Sequence, residues 1–230
     1  EGKTLIDLIN AVGDSDGVAI RAYERSPLTY SALATHIKTS VNALNDLSIG
    51  RNDRVAIVLP NGPEMATAFL AIATGATAAP LNPAYRAEEF KFYLEDLNAC
   101  ALIVEENSES PALDVAIDLG IPILRLCVEE GAPAGCFILQ GEAIKSGDRK
   151  IETGPGNADD IALVLHTSGT TSRPKIVPLS QSNLCASARN IGTILGLNKE
   201  DCCMNIMPLF HIHGLIAAVL SSVAACASLY

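Results

Sequence analysis

Nine consecutive residues, Thr167-Ser168-Gly169-Thr170-Thr171-Ser172-Arg173-Pro174-Lys175, gather five small hydroxyls, a glycine and a lysine into one short segment. Hydroxyl and backbone N–H groups donate hydrogen bonds to phosphate oxygens, and a lysine adds a compact positive charge. Gly169 lets the backbone come close to such a ligand. The segment follows the apolar run Ile161 to His166, which reads as a buried strand. Clusters of Ser, Thr, Gly and Pro also make ordinary polar loops. Here the hydroxyls crowd one short loop and Lys175 closes it behind a proline, which favours an anion site. It is not a Walker A loop, because Pro174 and Ile176 stand where that motif has glycine and Ser or Thr. Ile176 to Leu179 reads as extended, so the anion is not expected on a helix N-terminus.

A second candidate is Phe210-His211-Ile212-His213-Gly214. Two histidines at i and i+2 suit a metal, but no Asp, Glu or Cys set completes a site in this segment. Taken alone they read as turn residues, one solvated and one hydrogen-bonded. His166 reads as a hydrogen-bonded neighbour of the phosphate segment, His36 as a surface residue of a helical stretch, and Tyr85 and Arg86 as structural. Glu88 and Glu89 read as the acidic first turn of a helix.

The elements that must carry these groups alternate. Strands are predicted at Arg54–Leu59, Ala76–Leu81, Ala101–Val104, Pro122–Val128, Ile161–His166 and Cys202–Met207. Helices are predicted from Pro63 to about Thr74, Ala87–Asn98, Ala112–Leu119, from the Ser180–Asn183 stretch to about Leu195, and as a buried helix within Leu215–Ala227. Pro63 suits a first helical position, and Ser180 or Ser182 an N-cap. Repeated β-α-β units predict right-handed crossovers and an α/β fold, a mostly parallel sheet with helices on both faces. Residues 129–160 are rich in Gly, Pro and charge and read as irregular, with a short strand at Cys136–Leu139 and a soft boundary.

Composition narrows the function. Apolar residues make up 49% of the 230, which excludes a disordered chain. Net charge is −10 with no basic stretch, so no nucleic-acid partner is expected. The seven cysteines are odd in number and lack a C-x-x-C pair, which reads as buried reduced thiols rather than zinc ligands or disulfides. Adjacent Cys202 and Cys203 would face opposite sides of a strand. The apolar stretch Leu215–Ala227 is too short to cross a bilayer, so no membrane span is expected. No basic region precedes a long apolar one at the start, so a cytoplasmic place is expected.

Thr167–Lys175 resembles the phosphate-binding signature of the adenylate-forming enzymes, T-S-G-T-T-G-x-P-K-G: acyl-CoA synthetases, luciferases and peptide-synthetase adenylation domains. The Ser172-Arg173 variant is similar to that of the oxalate–CoA ligase-like branch of plants and fungi. Ala79-Pro80-Leu81-Asn82-Pro83-Ala84-Tyr85, Glu88-Glu89-Phe90, Phe92-Tyr93-Leu94 and Met207–Gly214 resemble further segments of that branch.

The resemblance implies the N-terminal part of an AMP-binding large domain over residues 1–230, with the C-terminal small domain absent. It implies an ATP-dependent, AMP-forming acyl-CoA ligase for a small carboxylate, oxalate first among them, using ATP, Mg2+ and coenzyme A. The alternatives are an adenylation domain that loads a carrier protein, and a catalytically incomplete fragment. Thr167, Ser168, Gly169, Thr170, Thr171, Ser172 and Lys175 would hold ATP phosphates. His213 would hold the carboxylate, His211 would gate or support it, and Gly214 would let the chain turn against substrate. No catalytic residue or metal ligand is identified within the chain. The family's adenine, ribose and magnesium motifs and its catalytic lysine lie further downstream, so the 230 residues alone are expected to be inactive. A C-terminal peroxisomal signal, carried by some relatives, would also lie there. Ile176 replaces the family's glycine, which strains a left-handed backbone and is harmless in an extended one.

Overall fold

In the computed structural model, which describes residues 2–11, 16–144, 150–167 and 174–230, two sheets organise the chain. The first strands and helices are α1 (Leu5–Asn10), β1 (Val18–Ile20), β2 (Leu28–Thr29) and α2 (Tyr30–Asp46). An alternating series follows: β3 (Arg54–Val58), α3 (Pro63–Gly75), β4 (Thr77–Pro80), α4 (Ala87–Leu97), β5 (Ala101–Glu105), α5 (Ala112–Asp118), β6 (Ile123–Cys127) and β7 (Ile138–Gln140). Then come β8 (Ile161–Thr167), β9 (Lys175–Ser180), α6 (Gln181–Leu195), β10 (Cys202–Cys203), a π-helix (His213–Leu220), α7 (Ser221–Ala224) and β11 (Ser228–Leu229).

The larger sheet has the order β7-β6-β5-β3-β4-β8-β9. Its five inner strands are parallel, and β7 and β9 close the edges antiparallel. Side chains alternate between faces along a strand. Val55 and Ile57 of β3, with Ala101 and Ile103 of β5, enter the core under α1, α2, α3 and α6. Ala56 and Val58, with Leu102 and Val104, enter a second core under α4 and α5. Both faces are covered, so these strands are continuous apolar runs, as parallel strands require. The expected α/β architecture is therefore the observed one.

Local chemistry sets the helix ends. Pro63 opens α3, and the Ser180 hydroxyl accepts from the Asn183 N–H at 3.2 Å to cap α6. The Glu89 carboxylate accepts from the Arg86 N–H at 2.9 Å, and Asn98 ends α4 in a left-handed conformation, φ 47°.

Three expectations are revised. The strand expected over Cys202–Met207 stops at Cys203, because the Asn205 side chain accepts from the Met207 N–H at 3.1 Å and competes with a ladder. The helix expected from Leu215 begins at His213 in π form and ends at Ala224. Cys226 then takes φ 60° before β11. Only Cys127 and Cys185 of the seven thiols are buried, and Cys202 is exposed.

The smaller sheet, β10-β11-β1-β2, was not anticipated. It joins the two ends of the chain: Ile20 pairs with Leu229, and the Tyr30 hydroxyl donates to the Ala227 carbonyl at 2.5 Å. Among the described residues no helix is long and apolar enough to cross a membrane.

Candidate functional site

The inner strands of the larger sheet end along one edge, where open α/β sheets hold their ligands. At that edge β8 and β9 form a hairpin, paired from Ile161 opposite Ser180 to Thr167 opposite Lys175. Ala162 to Leu165 are buried, whereas Thr167 and Lys175 are exposed. A hydroxyl and an ammonium thus sit across from one another at the last pair of the ladder, where the hairpin meets the sheet's ligand edge. Ser168, Gly169, Thr170, Thr171 and Ser172 lie outside the described residues. Ile176 is a paired strand residue opposite His166 and packs on the second core, so isoleucine is accommodated there without a left-handed backbone. Pro178 lies in β9, an edge strand, where a missing N–H is tolerated.

The stem of the hairpin is braced from the side by α4. His166 Nε2 lies 2.9 Å from Asp96 Oδ2, and the His166 side chain is 6% exposed. Tyr93 meets the imidazole edge-on at 4.6 Å and stacks on Tyr85 at 4.8 Å. Burial, then the hydrogen bond with Tyr93, pushes the Tyr85 hydroxyl above the usual phenol range. Phe90, Leu94 and Leu97 recur at helical spacing and bury one face of α4, with Tyr93 partly buried beside them. Asp96, three residues from Tyr93 and so on the same side, is the missed partner.

The histidine segment meets the same edge through Asn61, which follows β3. His211, Ile212 and His213 are exposed, and the His213 N–H points to His211 Nδ1 at 3.4 Å, a long contact. Leu209 is buried beneath them. A Cβ at Gly214 would lie 2.5 Å from the Pro208 carbonyl oxygen and 3.3 Å from that of Met207. Glycine is therefore needed where the π-helix crosses its own preceding loop. Such π-turns cluster at functional sites.

Asn61 follows β3 and reaches this segment. Its amide Nδ2 donates to the Met207 carbonyl at 3.1 Å, and its Oδ1 accepts from the Leu209 N–H at 2.9 Å. Because β4 alone separates β3 from β8, the Asn61 anchor and the phosphate hairpin are two strand spacings apart, about 10 Å.

A cavity of about 340 Å³ opens at the same edge, lined by Asn61, Glu64, Glu105 and Glu106 among others. A larger hollow of about 920 Å³, around Cys100 and Pro122, lies at the opposite edge and away from every candidate group. Among the described residues no three His, Cys, Asp or Glu side chains are placed to hold a metal ion.

His36 is corrected. It was expected at the surface but is half-buried in α2, with Phe137 edge-on at 4.5 Å. Its Nε2 is buried and has no hydrogen-bond partner among the described residues. Burial pulls its pKa down to about 4.

Comparison with known proteins gives a consistent picture. The family described as AMP-binding enzyme matches residues 10–230. The oxalate–CoA ligase of Arabidopsis thaliana is 37% identical over 99% of this chain and 45% of the relative. That of Saccharomyces cerevisiae is 35% identical over 90% of this chain and 43% of the relative. The ATP-bound MatB structure from Rhodopseudomonas palustris covers 100% of this chain and 45% of that one, with a TM-score of 0.81 at 24% identity, which supports the fold. The chain thus spans less than half the length of the curated relatives it matches.

Proposed function

The chain belongs to the AMP-binding enzyme family, and from that premise we propose that it is the N-terminal part of an AMP-forming acid–thiol ligase that activates a small carboxylate, oxalate foremost. One placement carries it: Thr167 opposite Lys175 at the edge where the strands end, about two strand spacings from the anchor of the His211–His213 segment.

In the first half-reaction a carboxylate oxygen attacks the α-phosphorus of ATP, forming an acyl-adenylate and expelling pyrophosphate. Lys175 and the hydroxyl of Thr167 offset the charge gathering on the departing β- and γ-phosphates, joined by the hydroxyls of Ser168, Thr170, Thr171 and Ser172. Magnesium bound to the phosphates would share that charge, in keeping with its preference for substrate oxygens and water. In the second half-reaction the thiol of coenzyme A attacks the acyl carbon and AMP leaves. A small dianion needs donors wherever it is desolvated, and the imidazole of His213 provides one, with His211 beside it in a gating or supporting role. The oxalate assignment draws on the 37% identical Arabidopsis relative and on the Ser172-Arg173 variant.

Pyrophosphate exchange by the whole protein across a panel of carboxylates tests this. Exchange that depends on oxalate is expected. Exchange with medium-chain fatty acids and none with oxalate would overturn the substrate assignment.

A further inference from the structure

We infer that Asn61 is a positioning residue: its side-chain amide sets the place of the histidine segment relative to the edge of the larger sheet.

The amide acts as a surrogate strand. It donates to the carbonyl of Met207 and accepts from the N–H of Leu209, the pair of groups an adjacent β-strand would satisfy. The main chain there needs such a partner, because the backbone pairing that continues β10 reaches only to the Asn205 N–H, which donates to the Tyr230 carbonyl at 2.9 Å. Asn205 adds a local contact, its Nδ2 donating to the same Met207 carbonyl at 3.0 Å. That contact lies within the segment and cannot fix where the segment sits. Asn61 can, because it belongs to the turn between β3 and α3, 148 residues away from Leu209 in the chain. Both ends of the link are anchored. Pro63 starts α3 directly after the turn, and α3 is buried from Met65 to Gly75. On the other side, Leu209 is buried, and the His211 N–H donates to the Pro208 carbonyl at 3.2 Å. A displacement at Asn61 therefore passes to His211 two residues beyond Leu209. A two-point contact fixes direction as well as distance, which a single bond does not.

The consequence for catalysis rests on the proposed ligase activity. Misplacing the carboxylate donor weakens carboxylate binding and leaves the phosphate hairpin two strands away untouched. Three readouts test this in Asn61→Ala and Asn61→Asp: hydrogen exchange of the Leu209 amide, the imidazole NMR signals of His211 and His213, and the KM values for carboxylate and ATP in pyrophosphate exchange.

In Asn61→Ala the Leu209 amide should exchange about tenfold faster, the size expected from one lost hydrogen bond, and both imidazole signals should shift. The carboxylate KM should rise about tenfold with the ATP KM unchanged. Asn61→Asp keeps the acceptor for Leu209 and loses the donor to Met207. It should restore the Leu209 protection and only part of the KM. Thr67→Val, which removes the hydroxyl bond to the Gly135 carbonyl, is the control for general loss of stability and should leave the carboxylate KM alone. Unchanged Leu209 exchange and imidazole signals in Asn61→Ala would overturn the inference, as would equal rises in both KM values. If the unaltered protein exchanges pyrophosphate with no carboxylate, the ligase reading falls, and the amide and imidazole measurements still decide the role of Asn61.

Discussion

The hairpin that ends at Thr167 and Lys175 is held by its backbone, whereas the segment carrying His211 and His213 is held by side chains. In the hairpin a continuous ladder and a buried row from Ala162 to Leu165 set the geometry. The exposed end residues are then free to be chosen for chemistry. In the histidine segment β10 stops early, and Asn61, Asn205 and the absence of a Cβ at Gly214 do the work of a ladder. Substitution at the hairpin's end should alter ligand binding without altering stability. Substitution in the histidine segment's supports should alter both.

The strongest break in that contrast is Gly214→Ala. A methyl group forced against two backbone carbonyls cannot be relieved by a rotamer change. A loss of about 3 kcal/mol is expected, read as a lower denaturant midpoint. A loss under about 0.5 kcal/mol would mean the crossing is looser than the geometry indicates.

Acid acts on the half-buried His36. His36 has a folded pKa of about 4 against an ordinary value of 6.5. The unfolded chain therefore binds more protons between those values. The stability linked to neutral His36 is complete above about pH 6.5 and falls as pH drops toward 4. The full shift corresponds to roughly 3 kcal/mol, and residual solvent contact reduces this to about 2. His36→Phe should flatten unfolding free energy across this window.

At the hairpin, Lys175→Ala should weaken pyrophosphate binding about tenfold, measured by calorimetry, because one charge-assisted contact is lost. Its melting temperature should stay within a degree or two, since Lys175 is exposed. A large drop in stability would erase the distinction between the two regions. The smallest effect belongs to the brace. Asp96→Asn should cost about 0.5 kcal/mol, because Asp96 is 39% exposed and solvent screens the pair with His166.

Much of the framework was legible because it is local. Runs such as Val55–Val58 are apolar at every position, which signals a strand covered on both faces. Pro63, Ser180 and Asn98 mark helix ends by their own backbone chemistry. Ile176 could be read either way, and only its pairing with His166 decided that the backbone is extended. The support of the site was not legible. Asn61 reads as a turn residue before a proline, and its partners lie 146 and 148 residues away. His36 carries a polar ring at a position whose burial depends on Phe137, a residue of the irregular stretch between β6 and β8.

The amino-acid order alone determined the alternation of strands and helices and the concentration of hydroxyls and one ammonium after a buried strand. Periodicity, capping and composition act within a few residues and are written in the chain. Tertiary structure decided which segments meet: the hairpin register, the small sheet joining Ile20 to Leu229, and the asparagine clamp on the histidine segment. Those contacts depend on how distant stretches pack, and no local spacing encodes them.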